Sequence, residues 1–115
     1  VVSKEEIDAL QSLMHSVYVD QSIIRYIVNL IRATRNARDV KLGASPRAAQ
    51  VLSKLVRAWA LLDGRDYVIP DDVKVLAPYV LNHRVITLGT DSTVLIRQLL
   101  QQVPTPLMER VLRRS

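Results

Sequence analysis

Between Asp20 and Asn36 the chain sets Ile23, Ile24, Ile27, Val28, Leu30 and Ile31 at helical spacing and leaves only Arg25, Asn29, Arg32 and Asn36 as a narrow polar stripe. Apolar side chains covering most of a helix must be shielded from water, so this helix has to be surrounded by other elements. Asp20 stands where an N-cap is needed, its carboxylate able to accept from an N–H that the helix itself cannot satisfy. A central helix of this kind calls for a bundle, and the remainder of the chain offers the helices to build one.

Ser3-Lys4-Glu5-Glu6 has capping-box spacing, and Ile7, Leu10, Met14 and Val17 then recur on one face, predicting a first helix over about 4–17. From Arg35 to Lys41 the pattern lapses into a charged loop that leads to a turn at Gly43. A third helix is predicted over about 46–62, with Ala48, Leu52, Leu55, Trp59 and Leu62 inward and Arg47, Gln50, Lys54 and Arg57 on the opposite face. On that pattern Trp59 is a core residue, not a binding platform. Gly64 supplies the left-handed residue that ends the helix. Tyr67-Val68-Ile69 reads as a short extended piece, and Pro70-Asp71-Asp72 opens a fourth helix, its acids suiting the helix dipole. Pro78 should kink or break that helix, with a second short piece reaching His83. Val85-Ile86-Thr87-Leu88 is strand-like, and any sheet would be a two-stranded scrap against 67–69. Asp91 caps a fifth helix over about 92–102, with Leu95, Ile96, Leu99, Leu100 and Val103 inward, and Pro104 and Pro106 stop it. The tail from Leu107 to Ser115 has room for one more turn or two. The reading is all-α: a small bundle of about five helices with a minor two-stranded pairing, spanning 1–115 as one domain.

The absence of cysteine removes disulfides, thiol chemistry and cysteine-ligated zinc. No apolar run is long enough to cross a bilayer and no secretion signal is legible at the start, so a cytoplasmic location is expected. The net charge is +5, and 12 of the 16 basic residues are arginine, a side chain suited to planar recognition of phosphate or carboxylate. Four tyrosines, one tryptophan and no phenylalanine are too few for the stacking platform of a single-strand nucleic-acid binder.

One placement breaks the rules that the other helices follow. In Leu42-Gly43-Ala44-Ser45-Pro46-Arg47, Ser45 is a good N-cap and Pro46 a good first helical residue, which puts Arg47 in the first turn. The helix dipole favours acids there, so Arg47 costs a few tenths of a kcal/mol unless an anion lies beside it. Phosphate is the natural candidate, although an arginine there can also simply reach into solvent.

Four segments then carry a resemblance: Ile31-Arg32-Ala33-Thr34-Arg35; Leu42 through Ala48; Gly64-Arg65-Asp66-Tyr67-Val68-Ile69-Pro70-Asp71-Asp72-Val73; and Leu81-Asn82-His83-Arg84. In this order and spacing, over about 18–88, they resemble the C-terminal lid domain of MoxR-type AAA+ ATPases. The resemblance implies a lid closing over ATP held by an upstream nucleotide-binding core, with Arg47 as the sensor 2 arginine at the γ-phosphate. Ser45 and Pro46 present it, and Arg35, in a matched segment, is a weaker candidate for the same nucleotide. It also implies ATP and magnesium as cofactors of the parent protein. The partners it implies are the protein's own core, neighbouring ring subunits and a von Willebrand factor A-domain protein, with remodelling or maturation of client proteins as the output.

The chain has no phosphate-binding loop, no strand ending in paired acids and no βαβ alternation. It is therefore expected to be a piece of a larger ATPase, as its non-methionine start also suggests, with no hydrolysis and no tight nucleotide binding alone. Other candidates have plainer explanations. Arg38, beside Arg35, lies in a loop that solvent can satisfy, and Asp71 and Asp72 are helix-start acids. His15 and His83 lack acids at ligand spacing, and Arg110, Arg113 and Arg114 make a basic tail that could dock on an acidic neighbour. The alternative function is a free-standing basic helical module that binds DNA or protein.

Overall fold

The structure, a computed structural model, describes residues 3–37, 40–82, 84–87, 89 and 91–107. Five helices account for most of these residues: α1 (Lys4–His15), α2 (Gln21–Asn36), α3 (Pro46–Leu62), α4 (Pro70–Leu81) and α5 (Ser92–Gln102). Two short strands, β1 (Val40–Leu42) and β2 (Ile86–Thr87), complete the fold. The all-α bundle read from the sequence is what forms.

Helix α2 is the centre, as its narrow polar stripe requires. It buries Ile23, Tyr26, Ile27, Leu30, Ile31 and Thr34, and packs against α3 on one side and α5 on another. Complete burial of an aliphatic side chain such as Ile23 or Leu30 contributes about 1.5–3 kcal/mol, and this helix supplies several. Asp20 caps it, accepting from the Ser22 backbone N–H at 2.9 Å and from the Ser22 hydroxyl at 2.6 Å, while the Tyr18 hydroxyl donates to its other oxygen at 2.7 Å. These bonds hold the Asp20 carboxyl below the usual carboxylate range.

Helix α3 has the predicted limits but a rotated buried face. Ala48, Leu52, Val56 and Ala60, at every fourth position, are fully buried, whereas Leu55 is 42% exposed, Trp59 41% and Leu62 84%. The apolar arc of this helix is wider than the arc its neighbours cover, and the small alanines let α3 approach them closely. Periodicity weighted by side-chain size chose the wrong edge of that arc, so Trp59 is not a core residue.

Helix α1 ends at His15, two residues short of expectation, and none of its side chains is buried. Val17, beyond its end, joins the core instead. Helix α4 runs through Pro78 to Leu81 without interruption. Proline removes a donor to the carbonyl four residues back, but Lys74 and Pro78 both line an open groove, where water can reach that carbonyl. His83 lies outside the described residues, as does the tail beyond Leu107 with Arg110, Arg113 and Arg114.

The expected pairing of 85–88 with 67–69 is replaced by another. Strand β2 pairs antiparallel with β1, Val40 opposite Thr87 and Leu42 opposite Ile86. The segment after α2 is therefore a strand where a loop was expected. Residues 66–68 are already engaged: the Tyr18 N–H donates to the Asp66 carbonyl at 2.8 Å and the Val68 N–H to the Tyr18 carbonyl at 2.9 Å. That bridge ties the α1–α2 link to the α3–α4 link.

Candidate functional site

The approach to α3 is held by the end of α2. The Thr34 hydroxyl, buried, donates to the Ile31 carbonyl at 2.6 Å and accepts from the Ala44 N–H at 3.0 Å. The next residue, Arg35, donates from Nε to the Ala44 carbonyl at 3.0 Å. Both backbone groups of the buried Ala44 are thus gripped by consecutive side chains, which leaves no polar backbone unpaired there. Gly43 makes the approach possible, because a Cβ on it would sit 2.6 Å from the Arg35 Cα.

From this clamp the chain passes through Ser45, extended at φ −84° and ψ 165°, to Pro46 in the first turn of α3. Ser45 occupies the N-cap position, but its hydroxyl makes no capping bond, contrary to the role expected of it. Arg47 follows, exposed, with no hydrogen bond or ion pair among the described residues. The first turn carries no acid. Positive charge therefore accumulates here from the guanidinium and from the helix dipole, on a backbone fixed from below, and the arrangement suits an anion arriving from outside the domain. Of the sequence candidates, Ser45, Pro46 and Arg47 lie together at this end, with Arg35 beneath them. Arg38 lies outside the described residues. Thr34 was missed as a separate feature, although it stands inside a segment that carries the resemblance.

The Gly64–Val73 segment does structural work. Gly64, at φ 75°, closes α3, and the Arg65 N–H returns to the Ala60 carbonyl at 2.9 Å. The Arg65 guanidinium then grips Asp72 through two nitrogens, at 2.7 and 2.9 Å, and also donates to the Tyr67 carbonyl and to Asp63. Asp72 is only 2% exposed, and its Oδ2 also accepts from the Ile69 N–H at 2.9 Å. The hydrogen bonds it donates to Asp72 hold the Arg65 guanidinium above its ordinary pKa against the opposing effect of burial. Asp71 is exposed and the two carboxylates do not converge. Among the described residues no group of three metal-ligating side chains is assembled, and His15 is exposed at the end of α1. A second polar junction joins α4 to α5: Asn82 Oδ1 accepts from the Thr93 hydroxyl at 3.0 Å and from the Ser92 hydroxyl.

Among the described residues no helix is long and apolar enough to cross a membrane. Comparison with known proteins finds that residues 32–103 match the AAA lid domain. The uncharacterized protein YeaC of Bacillus subtilis is 38% identical over 119 residues, covering 98% of this chain and 37% of that protein. The chaperone MoxR1 of Mycobacterium tuberculosis is 33% identical over 126 residues, covering 96% of the chain and 33% of its own length. The crystal structure of a protein assigned as an ATPase from Cytophaga hutchinsonii superposes with a TM-score of 0.84 at 30% identity, over 92% of this chain and 37% of that one. The chain thus spans between 33% and 37% of the length of these three proteins.

Proposed function

The chain belongs to the AAA lid domain family and is of the MoxR type, and on that premise we propose that it closes over ATP bound by the larger part of its protein, with Arg47 as the sensor 2 residue. The observation that carries this reading is Arg47 itself: a guanidinium in the first turn of α3, exposed and without a partner among the described residues, on a backbone clamped by Thr34 and Arg35. The residues present fit the phosphate end of a nucleotide. The guanidinium supplies charged donors, the dipole of α3 adds to them, and no acid in the first turn competes.

ATP supplies a terminal phosphate that ADP lacks. Arg47 would hold that group by a charge-assisted hydrogen bond, worth about 1.5–3 kcal/mol, and would lose the partner after hydrolysis. Because the clamp fixes Arg47 to the bundle, gaining or losing that bond shifts the preferred position of the whole lid. Arg35, with Nε committed to the turn, acts mainly as the support of Arg47. Magnesium ligands and the groups that activate water come from outside this chain. The movement would pass to neighbouring subunits of a ring and so to client proteins, with a von Willebrand factor A-domain protein as the expected partner and the cytoplasm as the expected setting. The alternative of a free-standing DNA-binding module has no observation of its own to favour it.

The test is Arg47→Ala in the full-length protein. ATP turnover should fall by about tenfold or more, the kinetic equivalent of losing one charged hydrogen bond, while the thermal midpoint stays unchanged. Unaltered turnover sinks the assignment.

A further inference from the structure

Helices α1 and α3 pack together and leave a cleft of about 330 Å³, lined by Gln11, Met14 and His15 from the first and by Lys54 and Arg57 from the second. That volume lies at the lower end of the range for small-molecule sites. Gln11 and His15 are i, i+4 on α1, and Lys54 and Arg57 are i, i+3 on α3, so each helix turns two neighbouring side chains to the cleft. No acid lines it. Helix α3 carries none from Pro46 to Leu62, and the acids of α1, Glu5, Glu6 and Asp8, lie toward the other end of that helix. The carbonyls at the near end of α1 are engaged, since the Ser16 N–H donates to the Ser12 and Leu13 carbonyls and the Val17 N–H to that of Met14. Among the described residues neither Lys54 nor Arg57 makes an ion pair or a hydrogen bond, and the Arg57 Nε is shut off from water as well. A charged group with a buried donor and no acceptor is costly, and an anion in the cleft offsets that cost by pairing with the guanidinium.

We propose that this cleft binds a phosphate group. An ammonium and a guanidinium together match the charge of a phosphate monoester, about −1.5 to −2, whereas a carboxylate carries only one negative charge. The Lys54 ammonium, the Arg57 guanidinium, a His15 ring N–H and the Gln11 amide come to the same space from two helices, which suits a tetrahedral oxyanion better than a planar one. Arg57 stands ten residues beyond Arg47, about 15 Å along the helix axis. The cleft is therefore a separate site from the first turn of α3 and does not depend on whether Arg47 reads ATP. Its consequence falls on α1. None of the side chains of that helix is buried, so less apolar contact holds it than holds any other helix of the bundle. A phosphate bonded to Gln11 or His15 on one side and to Lys54 and Arg57 on the other pins α1 to α3.

The experiment is amide hydrogen exchange, followed by mass spectrometry at the α1 peptide of the full-length protein in saturating ADP and magnesium. Inorganic phosphate should slow exchange there in a saturable way, and acetate at equal ionic strength should not. Arg57→Met, which keeps an apolar stem, should raise the phosphate concentration needed by about tenfold or more, as expected for one charged hydrogen bond, with Arg57→Lys in between. Lys54→Gln, at an exposed position, should raise it too and keeps the test open if Arg57→Met fails to fold. The slowing should persist in Arg47→Ala. No slowing, equal slowing by acetate, or slowing that Arg57→Met or Lys54→Gln leaves intact overturns the proposal. Slowing that is lost in Arg47→Ala assigns the anion to the start of α3 and also overturns it. Titration with glycerol phosphate and with a phosphoserine peptide then separates the sources, the tighter binder showing whether the group arrives on a free metabolite or on the side chain of another protein.

Discussion

A methyl group on Gly43 would lie 2.6 Å from the Cα of Arg35 and 2.7 Å from its Cγ. The closest neighbour is backbone and cannot swing aside. Gly43→Ala should therefore push the turn off the end of α2, strain the bonds that Thr34 and Arg35 make to Ala44, and cost about 1–3 kcal/mol, the range for overpacking a tight site. Urea denaturation of the variant measures this directly. A cost below about 0.5 kcal/mol would mean that the turn is not fixed by that contact.

Arg65 and Asp72 set the strongest stability prediction. Arg65→Ala leaves a carboxylate that is 2% exposed without its counter-ion, a change that costs about 3–5 kcal/mol in buried pairs. Arg65→Lys should recover only part of that loss, because an ammonium cannot reproduce the two-nitrogen grip or reach Asp63 and Tyr67 together. Denaturation midpoints of the two variants should fall in that order below the wild type.

Asp20 makes stability depend on pH in a defined direction. Its carboxyl is held below the usual range in the folded state by the bonds from Ser22 and Tyr18, so the unfolded chain takes up a proton first as pH falls. Its contribution is complete above the unfolded value near 4 and is lost as pH drops through the folded value. Asp20→Ala should cost about 1 kcal/mol at pH 7. The gap between variant and wild type should shrink below about pH 4, which denaturation at stepped pH would follow.

Two leucines of α3 should behave oppositely. Leu52→Ala empties a fully buried position and should cost about 2–5 kcal/mol, whereas Leu62→Ala in this chain should stay within about 0.5 kcal/mol of the wild type. Comparable losses at the two positions would contradict the rotated face described for this helix.

The contrast between Leu52 and Leu62 also marks how far the sequence could be read. Limits of α2, α3 and α5 were legible because Asp20, Pro46, Gly64 and Asp91 act locally, through hydrogen bonds and backbone angles that need no distant partner. The face that α3 buries was not, since that depends on how closely α2 and α4 approach, and two alanines permit an approach that no periodicity reveals. The β1–β2 pairing was hidden for a similar reason. Val85 to Leu88 had two possible partners, and Tyr18, in another part of the chain, had already taken one. Arg47 was legible as a local anomaly against the helix dipole. The grip of Thr34 and Arg35 on Ala44 was not, because it joins residues nine and ten apart through a turn whose shape only the folded chain defines.

Whether Arg47 reads the terminal phosphate can be tested by binding, without chemistry intervening. Affinities of the full-length protein for a slowly hydrolysed ATP analogue and for ADP would be measured by calorimetry, in the wild type and in Arg47→Ala. Arg47→Ala should weaken binding of the analogue by about tenfold or more, as expected for one charged hydrogen bond, and leave ADP nearly untouched. An equal loss for both nucleotides, or no loss for either, would contradict it.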